Sequence, residues 1–258
     1  MRREKSNYMI QAVSHALDVI EQFGADPEEL GVTELSKRLK LHKNNVFRLL
    51  ATLESRGYIE QNRNTENYRL GLRCLQLGQR YVRQIGLLEQ ARVVMEHVSR
   101  TCKETALLAV YRKEGMVPVE AVETQQPVRI VPTIGELLPL HCTAVGKAHL
   151  AFVAADERDA ALPRTLQKFT DKTITEKAAL VKHLQDVAQK GFAVDNGEYV
   201  ADVCAVAVPI RDHTRSVVAC LAVSGPAYRF TGERTANGIA PAVVDAGKQI
   251  SSRLGFNG

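Results

Sequence analysis

The chain of 258 residues contains no tryptophan and seven tyrosines. It therefore offers no aromatic platform on which single-stranded nucleic acid would stack. Its five cysteines are odd in number, scattered and never in a CxxC spacing. That excludes a disulfide framework or zinc finger and suits reduced thiols in a cytosol. The opening MRREKSNYMIQAVSH lacks the apolar core of a signal peptide, and no apolar run approaches the ~20 residues of a membrane span. These absences predict a soluble cytoplasmic protein with no membrane partner. One further absence is local: no acidic residue falls between Glu34 and Glu54, while Lys37, Arg38, Lys40, Lys43 and Arg48 are all basic. The overall balance is mild, +5 with a pI near 9.0, so the clustering says more than the total.

The basic run lies in TELSKRLKLHKNNVFRLLATL, Thr33 to Leu53. Thr33 is expected to cap a first short helix carrying Leu35 and Leu39 on one face. Lys40 to His42 form a turn, with Leu41 inward. In the second helix Val46, Leu49, Leu50 and Leu53 make a buried stripe, and Asn44, Arg48 and Ala51 fall opposite it. This pattern is a helix-turn-helix whose outward face suits duplex DNA. Tyr58–Gln61 and Asn67–Leu70 read as two strands of a wing with its tip at Asn62–Glu66. Thr33, Lys40, Lys43, Asn44, Asn45, Arg48 and the wing-tip Arg63 form the candidate DNA-binding set. Arg48 and Asn44 are expected to read base edges, with Lys43 and Lys40 on phosphates.

Before this unit, Gln11 to Phe23 is predicted helical, with Val13, Ala16, Leu17, Ile20 and Phe23 inward. After it, Gly71 to Gly86 reads as a linker helix carrying Leu72, Leu75, Tyr81, Val82 and Ile85. An apolar face of that kind docks on its own domain or on a second copy, so a homodimer at least is expected. Domain bounds are placed at 1–71 for the winged helix-turn-helix, 72–86 for the linker and 87–258 for the remainder. In that remainder a helix spans Leu87–Arg100. Strands are predicted at Thr105–Tyr111, Val117–Glu123, Val128–Pro132, Val203–Ile210 and Val217–Ser224. Helices are predicted at Thr143–Val153, from a capping box Thr173–Glu176 to Lys190, and from Thr231 or Arg234 to Leu254. The expected class is α+β with a mostly antiparallel sheet flanked by helices.

Chemistry-bearing patterns are thin. Cys204, in an apolar strand, reads equally as core thiol or pocket wall. As a nucleophile it needs a base, and His141 before Cys142 has a structural look. A small-molecule hydrolase using Cys204, fused to a helical interaction module, is the alternative reading. His141, Cys142, Asp195 and Cys204 match no zinc spacing. AVGKA lacks the first glycine and the Ser/Thr of a phosphate loop. No metal, cofactor or catalytic residue is expected.

QAVSHALDVIEQF, LGVTELSKRLKLHKNNVFRLLATLESRGYIE and YRLGLRCLQLG resemble the winged-helix half of the IclR family of bacterial transcription regulators. ELLPLHCTAVGKAHLAF, GFAVDNGEY, DVCAVAVPI and VACLAVSGP resemble that family's effector-binding half. The resemblance implies a GAF-like effector domain, dimers or dimers of dimers, a promoter DNA target, and control of catabolic or metabolic genes by a small organic anion, without catalysis. It also implies the pocket: Leu137, Leu138, Ala144, Gly146, Asp195, Cys204, Ala222 and Ser224. Family members that bind small keto acids often have serine where Ala222 stands, so a bulkier or more apolar ligand is expected here. Backbone N–H groups from Ala144 to Gly146 are expected to face a carboxylate at a helix start.

Overall fold

The computed structural model describes residues 9–24, 29–84 and 87–256, with the backbone alone at 79–84. Its chain divides into two units, Met1–Gln84 and Ile85–Gly258. In the first, α1 (Gln11–Glu21) continues into a 3-10 turn, Gln22–Gly24. It is followed by α2 (Val32–Leu39), α3 (Lys43–Ser55), the hairpin strands β1 (Ile59–Gln61) and β2 (Tyr68–Leu70), and α4 (Leu72–Gln84). Val19, Phe23, Leu35, Val46, Leu50, Leu53, Ile59 and Tyr68 close one core over these elements. The stripe expected on α3 is therefore the buried one, with Leu49 and Leu41 packed at its margin.

Two local expectations are corrected. Gly31, not Thr33, is the N-cap of α2, and no side chain caps it. An asparagine explains the glycine, since a Cβ on Gly31 would lie 2.8 Å from the Asn67 side-chain oxygen. On the first helix Ala16, Ile20 and Phe23 pack inward as expected, together with the buried Val19, whereas Val13 and Leu17 are exposed. The turn of the helix-turn-helix is set by Lys40 in the left-handed region (φ 54°) and by Ser36, whose hydroxyl donates to the Leu41 carbonyl at 2.6 Å. Gly57 (φ 75°) ends α3 as expected, its N–H reaching the Glu54 carbonyl and that of Tyr58 the Leu53 carbonyl. Paired bonds of this kind satisfy the last helical carbonyls. Of the linker face, Leu72 and Leu75 are exposed; the side chains of Tyr81, Val82 and Ile85 lie outside the described residues.

The second unit begins with α5 (Leu87–Cys102), β3 (Thr105–Arg112) and β4 (Gly115–Val122). Helices α6 (Ala144–Phe152), α7 (Ala155–Ala161) and α8 (Lys177–Lys190) follow, then β5 (Ala193–Asn196), β6 (Val203–Arg211) and β7 (Val217–Pro226). A short α9 (Gly232–Arg234) and a π-turn lead into α10 (Ala240–Arg253). The sheet order is β4-β3-β7-β6-β5, antiparallel throughout. On one face Leu107, Ala109, Ala205, Ala207, Cys220 and Ala222 pack under α6 and α8. On the other, α10 lies so close that a Cβ on Gly247 would meet Val208 at 2.5 Å. The unit is thus α+β, with helices covering both faces of an antiparallel sheet.

Three features of this unit differ from the expectation. Residues 128–132 form no strand. Pro127 and Pro132 bracket them, and a proline has no N–H to offer a ladder. The segment instead crosses the edge strand, with the Gly135 N–H on the Pro118 carbonyl and Leu138 bridged to Met116. Thr173 does not cap α8, whose N-cap is Glu176 without a side-chain bond. Its hydroxyl accepts from Phe169 and Thr170 N–H and donates to the Glu198 carbonyl. Strand β5 and helix α7 are short elements that the periodicity did not announce.

Candidate nucleic-acid interface and ligand cavity

Burial of Val46, Leu50 and Leu53 fixes the rotation of α3, so Lys43, Asn44, Asn45, Arg48 and Ala51 all stand in solvent. His42 caps the helix, its Nδ1 accepting from the Asn44 N–H at 3.4 Å. Lys40 is exposed at the turn before it. Thr33 is exposed in the first turn of α2. Arg38 differs from its basic neighbours: its Nε meets Glu34 at 2.9 Å across one turn. Sequence reasoning missed Phe47, a large ring on the outward side of α3. The i, i+3, i+4, i+7 spacing from Asn44 was the available signal.

The wing is built by the residues before α2. Leu30 exchanges both backbone bonds with Tyr68. The Glu29 carboxylate accepts from the Asn62 amide and the Thr65 hydroxyl, both at 2.7 Å, and these bonds hold its pKa below the ordinary value. Asn62 in turn accepts from the Asn64 N–H. Arg63 is presented at an exposed but braced tip.

In the second unit a cavity of about 190 Å³ lies against the α6 face of the sheet. Leu138, Ala144, Asp195, Ala222 and Ser224 line it, as do Leu107 and Ala205 from neighbouring strands. The register explains the floor: Leu107 sits opposite Ala222, and Ala205 opposite Ser224. Ile130 to Thr133 and Glu136 line it from the crossing segment. Three of the expected pocket residues are not among its lining. Leu137 is half exposed. Cys204, by strand alternation, stands on the opposite face from Val203 and Ala205 and donates to the Asn196 side chain at 3.3 Å. Gly146 is buried, and a Cβ there would lie 2.3 Å from the Leu140 carbonyl oxygen.

The start of α6 shows which N–H groups the cavity is offered. Thr143 is the N-cap; its hydroxyl accepts from the Gly146 N–H at 3.1 Å and donates to the Pro139 carbonyl at 2.6 Å. The Lys147 N–H goes to the Thr143 carbonyl. The cap uses neither Ala144 nor Val145, and both line the cavity. Ser224 is buried, and its hydroxyl has no hydrogen-bond partner.

Asp195 accepts from the Glu198 N–H at 2.7 Å and so shapes the loop after β5. Burial nevertheless pushes its carboxyl up to about 6, with the nearby Glu198 charge adding to the rise and the Glu198 N–H opposing it. Beneath it, Lys147 is fully buried, bonded to Glu198 and to the Val194 carbonyl. Burial also displaces His149, pushed down to about 4 and stacked on Tyr111 at 4.3 Å. Neither Cys204 nor His141 has the setting of a nucleophile and base: burial raises the thiol, and the imidazole Nε2 is bonded to the Gln167 carbonyl at 2.8 Å. The hydrolase alternative has no support.

Comparison with known proteins meets this geometry. Residues 12–63 match the IclR helix-turn-helix domain, and residues 79–252 match the bacterial transcriptional regulator IclR C-terminal domain. The transcriptional regulator KdgR of Escherichia coli is 31% identical over 255 residues, covering 98% of this chain and 96% of its own. XynR of the same organism is 31% identical over 249 residues, covering 96% and 98%. The crystal structure of Thermotoga maritima IclR superposes with a TM-score of 0.79 at 26% identity, covering 96% of this chain and all of its own (100%). An IclR homologue from Microbacterium hydrocarbonoxydans, solved with 4-hydroxybenzoate, shares the fold at a TM-score of 0.84 and 23% identity, covering 94% and 98%. Among the described residues no helix is long and apolar enough to cross a membrane.

Proposed function

Because this chain belongs to the IclR family, and is accordingly a DNA-binding transcription regulator with a C-terminal effector-binding domain, we propose that its effector is a small organic acid of one ring, held in the 190 Å³ cavity. The observation that carries this reading is Ser224: a buried hydroxyl without a partner, facing a mostly apolar space beside a helix start. A carboxylate leaving water needs donors, and Ser224 with the Ala144 and Val145 N–H groups supplies them at the favourable end of α6. An apolar cavity of about 150 Å³ admits benzene, so this one has room for a single ring with small substituents. Ala222 keeps its wall smooth. Asp195, protonated below about pH 6, is compatible with an anion there and otherwise takes a ligand hydroxyl. 4-Hydroxybenzoate, bound by the Microbacterium relative, has both groups and is the natural first probe.

On the DNA side we assign base reading to Arg48 and Asn44 and phosphate contacts to Lys40, Lys43 and Arg63, with Asn45 flanking. The regulated genes are metabolic ones, and the protein acts in the cytoplasm without a catalytic step. It works as a homodimer or a dimer of such dimers. Val13 and Leu17, four residues apart, are exposed on α1, as is Met9 just before it, and Leu72 and Leu75 are exposed on α4; a second copy would cover them. Sedimentation at micromolar concentration showing a 28.5 kDa monomer would overturn that assignment. For the effector, a panel of small organic acids including 4-hydroxybenzoate is tested by thermal shift and by mobility shift of a bound duplex. A bound acid raises the melting temperature by mass action, and it regulates only if its affinity differs between DNA-bound and free protein. If chain-like acids too large for one ring stabilise the protein and single-ring acids do not, the cavity reading fails.

A further inference from the structure

We infer that Phe47 reads a thymine, by apolar contact with the 5-methyl group of that base in the major groove; the inference rests on the DNA-binding reading of α3. Asn44, Phe47, Arg48 and Ala51 follow i, i+3, i+4, i+7 spacing, which places four side chains on one helical face. The stripe formed by Val46, Leu50 and Leu53 is buried, so Phe47 cannot turn inward without unpacking the core. It stays 56% exposed, a ring left in water in the first half of the helix. The N-terminal part of a recognition helix is the part that meets base edges.

Its neighbours say which occupant the ring awaits. Lys43 stands one turn before it and Arg48 beside it, both exposed, and no carboxylate lies between Glu34 and Glu54. Such a face suits a polyanion. The other exposed apolar side chains of this unit on α1 and α4 belong to different elements, and a second copy covers them in the assembly proposed above. Within the major groove the apolar group on offer is the thymine methyl, and a phenyl ring is one of the side chains that recognise it. The same contact gives Phe47 a reason to be exposed that neither the core nor a phosphate supplies. Burying one methyl changes affinity about fourfold.

The test uses the full-length protein and duplexes it selects from a random-sequence pool. Each thymine of the selected site is replaced in turn by deoxyuridine, which removes the methyl and nothing else. At one position the wild-type protein is expected to bind the uracil duplex about fourfold more weakly than the thymine duplex. Phe47→Ala is expected to bind the two equally, with an unchanged salt dependence because no phosphate contact is lost. Phe47→Leu keeps an apolar tip and is expected to retain part of the preference. Wild-type protein indifferent to uracil at every position overturns the inference, as does a Phe47→Ala protein that still prefers thymine. If no duplex is enriched at all, the DNA reading of α3 falls and takes this inference with it; enrichment without a methyl effect removes this inference alone.

Discussion

On the first unit, Lys40, Lys43, Asn44 and Arg48 stand in solvent, and the ion pairs among its described residues, Arg38–Glu34 and Arg69–Glu60, are surface pairs. The second unit treats charge the other way. Glu104 is fully buried under Arg229, at 2.6 and 2.7 Å, with Arg234 at 3.3 Å, and Lys147 is sealed against Glu198. One unit keeps its cations available for a polyanion. The other spends paired charges on holding distant segments together around a cavity. Arg229 also donates to the Val128 carbonyl, which ties down the segment that crosses the cavity.

The largest break in this contrast comes from opening a buried pair. Lys147→Ala leaves Glu198 buried and unpaired, and is expected to cost about 3–5 kcal/mol in urea denaturation. Arg38→Ala, on an exposed pair, is expected to cost less than about 1 kcal/mol. Equal losses would erase the distinction.

Acid sharpens the same contrast, because His149 and Asp195, a histidine and a carboxyl pulled far from their usual values in the acid range, both lie in the second unit. The folded His149 has its pKa near 4, below the ordinary 6.5. Its stabilising neutral form is therefore complete above 6.5 and lost as pH falls toward 4, a difference of roughly 3 kcal/mol. Asp195 runs in the opposite sense. Its folded value of about 6 exceeds 3.8, so the unfolded chain ionises first and stability falls as pH rises across that window, again by roughly 3 kcal/mol. The two trends offset each other in the native protein. His149→Phe should then become more stable on acidification from pH 6 to 4.5, and Asp195→Asn less stable; thermal melts across that range decide it, and parallel profiles for both variants would contradict the assignment.

A smaller effect is expected at the DNA face. Arg48→Ala should relax preference at one base pair by about 1–3 kcal/mol, while Lys40→Ala should weaken all duplexes alike and flatten the salt dependence. Competition between selected and scrambled duplexes measures both, and an unaltered preference in Arg48→Ala would remove its base-reading role. The smallest expected effect on the empty protein is Ser224→Ala. An unpartnered buried hydroxyl contributes nothing that alanine lacks, so the melting temperature should hold or rise slightly. Binding of whichever acid the panel identifies should weaken by about tenfold, the worth of a hydrogen bond to a charged group; calorimetry finding the same affinity in both proteins would move the carboxylate elsewhere.

The same contrast explains what the sequence made legible. The residues proposed to read bases lie on one helix, so residue spacing orders Asn44, Arg48 and Ala51 without further information. Phe47 lies outside the stripe of Val46, Leu49, Leu50 and Leu53, and an outward set chosen for polar, cationic and small residues passed over an apolar ring. The cavity is different: Leu107, Leu138, Ala144, Asp195 and Ser224 come from separate strands and segments, and only strand register brings them together. Motif resemblance named five of its lining residues. It missed that Gly146 serves packing against Leu140 and that Cys204 faces the other side of β6. Lys147 and Glu198, which fasten α6 to the loop after β5, carry no local signature at all. The absent strand at 128–132 was a matter of proline chemistry, legible in principle from Pro127 and Pro132.

The strand order has a consequence in time. β3 lies between β4 and β7, and the residue opposite Thr105 is Ser224. A chain emerging from the ribosome therefore holds half of its central strand pairing open until nearly the whole polypeptide has been made. The first unit, whose core among the described residues runs from Ala16 to Tyr68, needs no such wait. Pairing across a long loop is slow, and domains nearer the N-terminus fold first during synthesis. Each new molecule thus passes through an interval in which its operator-gripping part exists and its sensing chamber does not, deaf to metabolite until the last strand slides between its neighbours.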